Sequence, residues 1–224
     1  SGSNEDIKFN ALIDIEPATI PEFASATGST REEVEDAIVT LESQGRIQPI
    51  GTNQKYFLST EGWQQLENNA IQSLSTFHSS YPLRPGMPLQ DFRGRLKLTS
   101  SPFNAAVASL IKLEKIATSD STIRLIEHTT SLSYDQELEA DKYLKEITND
   151  RFSPSTFQDI DIELLQFLIE RGDVVKVGEE IVYPTKAYEE MESKIIDSGI
   201  NGREITIASV RNIFGTSRKY TLAV

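Results

Sequence analysis

The residues best suited to chemistry in this chain lie together near its C-terminal end. The segment Gly215-Thr216-Ser217-Arg218-Lys219-Tyr220 places hydroxyls, two cations and an aromatic ring side by side. A glycine followed by Ser or Thr is typical of one helix ending and the next beginning, so these side chains are expected at a helix N-terminus. Cations beside free backbone N–H groups suit a polyanion such as phosphate. The alternative interpretation is that the segment is an N-cap followed by basic residues on the surface with no ligand, because that arrangement has the same residue types.

Catalytic chemistry finds little support elsewhere in the sequence. There is no G-x-x-x-x-G-K-[ST] phosphate-binding loop and no cysteine. The two histidines, His78 and His128, are 50 positions apart, which excludes a His-rich sequence cluster for a metal. We expect His78 to pack or hydrogen-bond beside a proline turn. Acidic pairs such as Glu32-Glu33 are adjacent in a predicted helix and do not face each other. The sequence therefore predicts neither an enzyme, nor a cofactor site, nor a metal site.

The charge distribution restricts where a polyanion could bind. The net charge is −12, yet Arg84–Lys97 and Gly199–Val224 each carry a local balance of +3, leaving −18 on the remainder. The first of these segments contains Arg93, Arg95 and Lys97. Phosphate binding depends on Lys and Arg, and an acidic body repels nucleic acid. Any nucleic-acid contact is therefore expected at a basic end.

The elements that position these residues recur along the chain. Each repeat is predicted to contain a short amphipathic helix, a turn, a longer amphipathic helix and two β-rich runs. The four repeats are Ile20–Ser59, Met87–His128, a shortened Ser153–Pro184, and Ile205–Val224, which stops inside its second helix. The spacing from Phe23 to Ile47 equals that from Phe92 to Ile116. A helix-turn-helix followed by a β-hairpin is a winged helix.

The predicted fold class is mainly α with small β-hairpins (α+β), as tandem winged-helix domains in an elongated array. The predicted domains are 4–72, 73–130, 131–198 and 199–224, the last being only the start of a winged helix. Helices beginning near Ser59 and Thr185 are expected to join consecutive repeats without a loose linker. In repeat one, Thr30-x-x-Glu33 has the spacing of a capping box.

Composition indicates a soluble globular protein, with 25% charged and 38% hydrophobic residues. No apolar run has the length of a membrane span, and no signal peptide is apparent. We expect a cytoplasmic monomer with no membrane partner. The opening Ser1-Gly2-Ser3 is similar to a cloning remnant, which predicts that the chain is a piece of a longer protein.

Two peptides resemble a known family. The peptide from Phe77-His78 through Tyr81-Pro82-Leu83-Arg84-Pro85-Gly86-Met87-Pro88 to Phe92-Arg93-Gly94-Arg95-Leu96 resembles the second winged helix of the selenocysteine-specific elongation factor SelB. The peptide Ile205–Tyr220 resembles the start of that family's fourth winged helix. The two matches stand in the expected order and flank a third repeat.

The resemblance implies a role in translation. SelB factors carry an N-terminal GTPase portion that delivers selenocysteinyl-tRNA, followed by four winged helices, the last of which grips an mRNA hairpin beside a UGA codon. Hairpin loops are read through splayed bases, phosphates and stacking. The expected RNA-binding residues are Ser217, Arg218, Lys219 and Tyr220, with Arg211 as a weaker candidate. Repeats one to three would form an acidic spacer, and the ribosome is a further partner that the resemblance suggests.

This sequence departs from the family in two ways. The GTPase portion is absent, so GTP is expected only for that missing portion and no cofactor for this chain. Repeat four lacks the end of its recognition helix and its wing, which predicts weak or lost RNA affinity.

Two alternatives to this role are a tandem winged-helix scaffold that binds protein and a DNA-binding regulator. A reader of duplex DNA should have basic recognition helices. Those of repeats one and three begin with Thr30-Arg31-Glu32-Glu33 and Asp161-Ile162-Glu163, which are acidic.

Overall fold

The computed structural model of the protein describes residues 4–119, 121–154, 160–200 and 205–222. The chain divides into two compact units, Ser1–Thr129 and Thr130–Val224, here called the N-terminal and C-terminal units. Helices dominate, and small antiparallel sheets accompany them. The predicted fold class is confirmed in these respects, and each unit contains two of the predicted repeats.

Repeat one folds as three helices and a hairpin. Its elements are α1 (Asn4–Ile15), α2 (Ile20–Thr27), α3 (Arg31–Ser43), β1 (Ile47–Ile50) and β2 (Tyr56–Ser59). The predicted capping box begins α3: the Thr30 N–H donates to Glu33 Oε2 at 2.8 Å, and the Glu33 N–H donates to Thr30 Oγ1 at 3.3 Å. Gly28 ends α2 with φ of 62°, a conformation that costs glycine little. The sequence thus encodes both ends of this turn locally.

Repeat two follows without an irregular linker. Its elements are α4 (Thr60–Ser80), β3 (Met87–Pro88), α5 (Leu89–Leu96), α6 (Ser100–Lys112), β4 (Ile116–Ser119) and β5 (Thr122–Leu125). The pairing of Met87 with Ile123 adds a third strand, which the sequence analysis missed. Pro88 precedes α5, with φ −55° and ψ 134°. Proline has no N–H to donate, so it fits a short edge strand.

One hydrophobic core runs through both repeats of the N-terminal unit. Ile50 and Trp63, from the predicted domain 4–72, pack in the same cluster as Phe92 and Phe103. A smaller cluster surrounds the fully buried Phe23 in repeat one. The boundary predicted at 72/73 lies inside α4, and independent folding on its two sides stays a prediction.

The two histidines meet in this unit as a stacked pair. Their ring centroids are 3.6 Å apart and the rings are 9° from parallel. The Leu125 N–H donates to His78 Nε2 at 3.3 Å, so the proton of neutral His78 belongs on Nδ1. That buried Nδ1 has no hydrogen-bond partner in the part of the chain that the structure describes. His128 Nε2 bonds the Arg84 carbonyl at 2.9 Å, beside the proline turn. The pair is structural, as expected for His78.

Acid is expected to destabilise the N-terminal unit through His78. Burial, followed by the neighbouring His128 and Arg124, lowers the pKa of His78 from 6.5 to about 4. The stabilising effect of neutral His78 is therefore complete above pH 6.5 and is lost as pH falls from 6.5 towards 4. We expect the free energy of unfolding to fall by about 1–2 kcal/mol between pH 7.5 and 4.5, allowing for solvent screening. Urea titrations followed by fluorescence of Trp63, the single tryptophan, would measure this loss.

His78→Phe is the matched control for this acid effect. It keeps an aromatic ring against His128 but removes the titrating group. The difference in stability between wild type and variant should shrink as pH falls over this range. A difference that is constant from pH 7.5 to 4.5 would contradict the assignment.

The C-terminal unit contains repeats three and four. Its elements are α7 (Tyr134–Asn149), α8 (Ile162–Arg171), β6 (Val174–Val177), β7 (Ile181–Pro184), α9 (Thr185–Ile200), α10 (Ile207–Phe214) and α11 (Arg218–Thr221). The segment expected to begin repeat three falls largely on residues 155–159, outside the described residues. The hairpin of β6 and β7 has the predicted position, with Val177 paired to Ile181 across its tip.

The core of this unit joins repeat three to repeat four. Ile181 and Tyr183 of β7 pack with Met191 of α9 and with Val210 and Phe214 of α10. Tyr183 is fully buried and is the largest such side chain in the described residues. The first helix of repeat four is therefore anchored by apolar contact with the wing of repeat three. Among the residues described, no helix is both long enough and apolar enough to span a bilayer.

Candidate nucleic-acid interface

Local sequence positions the predicted interface on a helix-turn-helix. Thr206 caps α10, and its Oγ1 accepts from the Ser209 N–H at 3.1 Å. Gly215 ends α10 with φ of 63°, and its N–H donates to the Arg211 carbonyl. Ser217 then takes an extended conformation as the N-cap of α11, although its hydroxyl makes no capping hydrogen bond. The predicted glycine stop and helix restart are both present.

Two residues of the predicted segment face inward. Thr216 is buried, and its Oγ1 donates to the Phe152 carbonyl at 2.8 Å. The Tyr220 hydroxyl donates to the Pro154 carbonyl at 2.7 Å, while the Tyr183 hydroxyl donates to the Tyr220 carbonyl at 3.1 Å. The Tyr220 ring is half-buried against the core. These bonds hold α11 in place and leave little of this ring free to stack on a base.

The remaining predicted residues face outward. Ser217, Arg218 and Lys219 are exposed at the start of α11, and Arg211 is exposed on the last turn of α10. The turn brings the first three together as consecutive residues, while Arg211 contributes its charge from the preceding helix. A hydroxyl and three cations are therefore exposed at this turn.

A carboxylate that the sequence analysis did not consider lies beside this surface. Glu180, at the tip of the β6–β7 hairpin, approaches Lys219 Nζ to 3.1 Å. Both side chains are exposed, so solvent screens the pair and it contributes little to stability. Its presence does reduce the local positive charge. Because Glu180 is 39 residues from Lys219, no local sequence signal could have found the pair.

The charges of these side chains matter more here than the helix dipole. Helix α11 is only four residues long, and a short helix sums few peptide dipoles. In α8, Asp161 Oδ1 accepts the N–H groups of Glu163 and Leu164, so a carboxylate already occupies that helix start. In α3, Glu33 Oε2 accepts the N–H of the N-cap residue Thr30. The two helix starts that were predicted to avoid phosphate are thus occupied by their own acids.

Metal chemistry has no visible basis in the described ranges. No group of three or more His, Asp or Glu side chains comes together there in a way that could hold an ion.

Known proteins resemble this chain at the level of the winged helix. Residues 71–125 match the family described as elongation factor SelB, winged helix. No curated protein sequence matches the chain. Among solved structures, the mRNA-binding domain of elongation factor SelB from E. coli, in complex with SECIS RNA, has 13% identity and a TM-score of 0.41. The match covers 55% of this chain and 98% of that one.

Two further solved structures match this chain at similarly low sequence identity. A bacterial selenocysteine-specific elongation factor has 14% identity and a TM-score of 0.41, and the match covers 78% of this chain and 28% of the factor. This chain thus corresponds to 28% of that factor's length. A hypothetical protein from Pyrobaculum spherical virus has 13% identity and a TM-score of 0.33, with 57% of this chain and 99% of that one covered.

The family match falls on repeat two. It spans the end of α4, the proline turn, α5, α6 and the β4–β5 hairpin, which includes the first peptide that resembled SelB. The resemblance predicted from that peptide is thereby confirmed for this region. Residues 71–125 of this chain are thus similar to the winged helix of elongation factor SelB.

Proposed function

We propose that this chain is the mRNA-binding and spacer region of a selenocysteine-specific elongation factor. In this role it couples recognition of an mRNA hairpin beside a UGA codon to delivery of selenocysteinyl-tRNA by a GTPase portion. The observation that carries the proposal is the match of residues 71–125 to the SelB winged helix. The exposed cations of repeat four support the position of the RNA contact.

In the proposed complex, Arg218 and Lys219 bind phosphates of the hairpin. Both are long cationic side chains exposed at the start of α11, and phosphate neutralisation supplies much of RNA affinity. Ser217 has a hydroxyl that is not used for capping and can hydrogen-bond a phosphate or a ribose. Arg211 adds charge from α10. Tyr220 acts by holding α11 against Pro154, through the bond from its hydroxyl.

The acidic remainder of the chain disfavours RNA contact outside the basic segments. This remainder is more negative than the chain as a whole, whose net charge is −12, and it repels RNA, so association is directed to the basic segments. The acid-capped starts of α3 and α8 are poorly suited to enter a DNA groove, which argues against the DNA-binding alternative.

The test is RNA binding by the protein expressed through the natural end of its reading frame. The probes are labelled mRNA hairpins that follow in-frame UGA codons in the source genome, and the same hairpins with scrambled loops. We expect Arg218→Ala/Lys219→Ala to weaken hairpin binding about 10-fold at 0.1 M KCl and to reduce the salt slope by about 1.5, because two phosphate contacts are lost.

Lys55→Ala/Lys112→Ala is the matched control, since it removes the same charge from exposed positions in the N-terminal unit. It should change hairpin affinity less than 2-fold by the same screened electrostatics. An equal loss in both double variants would overturn the assignment of the site. Equal affinity for authentic and scrambled loops would overturn hairpin recognition and favour a protein-binding scaffold.

A further inference from the structure

A polar groove lies in the N-terminal unit, between α4 and the end of α5. Its volume is about 460 Å³. Hydroxyl, amide and cationic side chains dominate its walls. The lining residues are Leu66, Asn69, Gln72, Ser73, Thr76, Arg95, Leu96 and Lys97. We call it the α4–α5 groove.

The charge of this groove is opposite to that of the protein. The chain has 34 acidic and 22 basic residues, yet the lining contains Arg95 and Lys97 and no carboxylate. Both cations are exposed, and neither forms an ion pair with any residue that the structure describes. By contrast, Lys115 pairs with Glu67 at 3.5 Å, and Arg93 bonds Ser100 and Gln90. The cations that line the groove are therefore available to an anionic ligand.

Lys97 occupies a position where the backbone conformation favours glycine. It ends α5 with φ of 54°. In repeats one and four the corresponding helices end at Gly28 and Gly215, with φ of 62° and 63°. A side chain in this conformation is strained. Glu114, with φ of 55°, is the other non-glycine residue with positive φ in the described chain, and it lies outside the groove lining. Glu114 therefore serves as an internal control for the backbone strain of a non-glycine residue with positive φ.

We infer that the α4–α5 groove binds the sugar–phosphate strand of an RNA. Arg95 and Lys97 would neutralise phosphates. The amides of Asn69 and Gln72, and the hydroxyl of Ser73, both donate and accept hydrogen bonds. That combination matches a ribose 2′-hydroxyl and base edges, which both donate and accept, whereas the carboxylates of an acidic peptide only accept. This contact goes beyond the proposed hairpin site, because its residues belong to the other compact unit.

The experiment isolates the groove from repeat four. The full chain carrying Arg211→Ala, Arg218→Ala and Lys219→Ala is titrated with a fluorescein-labelled single-stranded RNA of twelve nucleotides and mixed sequence, from 50 to 300 mM KCl. Adding Arg95→Ala/Lys97→Gly should weaken binding at least 10-fold at 50 mM and reduce the salt slope by about 1.4, as expected for two phosphate contacts on a single strand.

A role in binding is separated from a role in folding by two single variants. Lys97→Gly should raise the urea midpoint, because it relieves the left-handed strain, and yet weaken RNA binding about 3-fold or more. Glu114→Gly should raise the urea midpoint in the same way without weakening RNA binding. This opposition of signs is not expected of a residue whose role is only structural.

Three results would overturn the inference. One is unchanged RNA affinity in Arg95→Ala/Lys97→Gly. Another is an equal loss in Lys55→Ala/Lys112→Ala, which would indicate general electrostatics. The third is that Arg95→Ala/Lys97→Gly weakens binding of a labelled poly-glutamate peptide but not of the RNA, which would identify the groove as a protein-binding site. These outcomes can be read even if the hairpin proposal fails, because the protein used in this titration already lacks the cations of repeat four.

Discussion

Tyr183→Ala is expected to destabilise the C-terminal unit by about 3–5 kcal/mol, the usual cost of truncating a buried aromatic residue. The Tyr183 ring has no exposed surface and packs 5.9 Å from the Tyr188 ring and 6.4 Å from the Tyr220 ring, measured between centroids. Its loss leaves a cavity between β7 and the helices of repeat four. Hydrogen exchange of peptides covering 174–184 and 207–222 would report the change.

Tyr183→Phe separates the ring from its hydroxyl. The hydroxyl donates to the Tyr220 carbonyl at 3.1 Å, and losing one such bond should cost about 1 kcal/mol. Exchange should then accelerate chiefly at α11, because that bond holds this helix to the β7 strand. A Phe variant as unstable as the Ala variant would contradict the view that ring packing dominates. An Ala variant that loses under 1 kcal/mol would do the same.

Phe92→Ala is expected to cost the N-terminal unit about 3–5 kcal/mol. Phe92 is fully buried, and its ring centroid lies 5.9 Å from that of Phe103, with the rings 65° from parallel. It shares its cluster with Trp63, on the first turn of α4. We therefore expect the unfolding transition seen by Trp63 fluorescence to move to lower urea, although Trp63 belongs to the predicted domain 4–72 and Phe92 to 73–130.

Val39→Ala is the matched control for this variant. This substitution also truncates an apolar side chain, but Val39, in α3, is 66% exposed. The urea midpoint should therefore shift by less than the equivalent of about 0.5 kcal/mol. Suppose Phe92→Ala unfolds part of the unit while Trp63 keeps the wild-type midpoint. The two repeats would then fold separately, as the boundary at 72/73 predicted.

Regular local features were predictable because their causes are local. The glycine at 215 and the capping box of Thr30 and Glu33 act within four residues, and the structure places helix ends there. The longer amphipathic helices predicted in repeats one and two are present as α3 and α6, since one face of each meets a core. Two β-rich runs were also predicted in repeat three, and they are present as the β6–β7 hairpin.

Features that depend on distant partners were missed. Strand β3 is two residues long and exists because Met87 meets Ile123, 36 positions away. The stacking of His78 on His128 likewise joins residues that are too far apart in the sequence for a local pattern to predict their contact. The left-handed conformation of Lys97 was also unexpected, since a lysine carries no signal for it.

The sequence alone determined the order of the repeats, the helix ends within them and the gathering of positive charge near residue 215, because each of these follows from residue type and short spacing. Only the tertiary structure decided which side chains of that segment remain available to a ligand. Thr216 and Tyr220 turn inward through bonds to Phe152 and Pro154, 64 and 66 positions away. Arg218, between them in the chain, stays exposed. Burial of a polar side chain requires a partner, and here folding brings the partners of Thr216 and Tyr220 from the preceding predicted domain, 131–198.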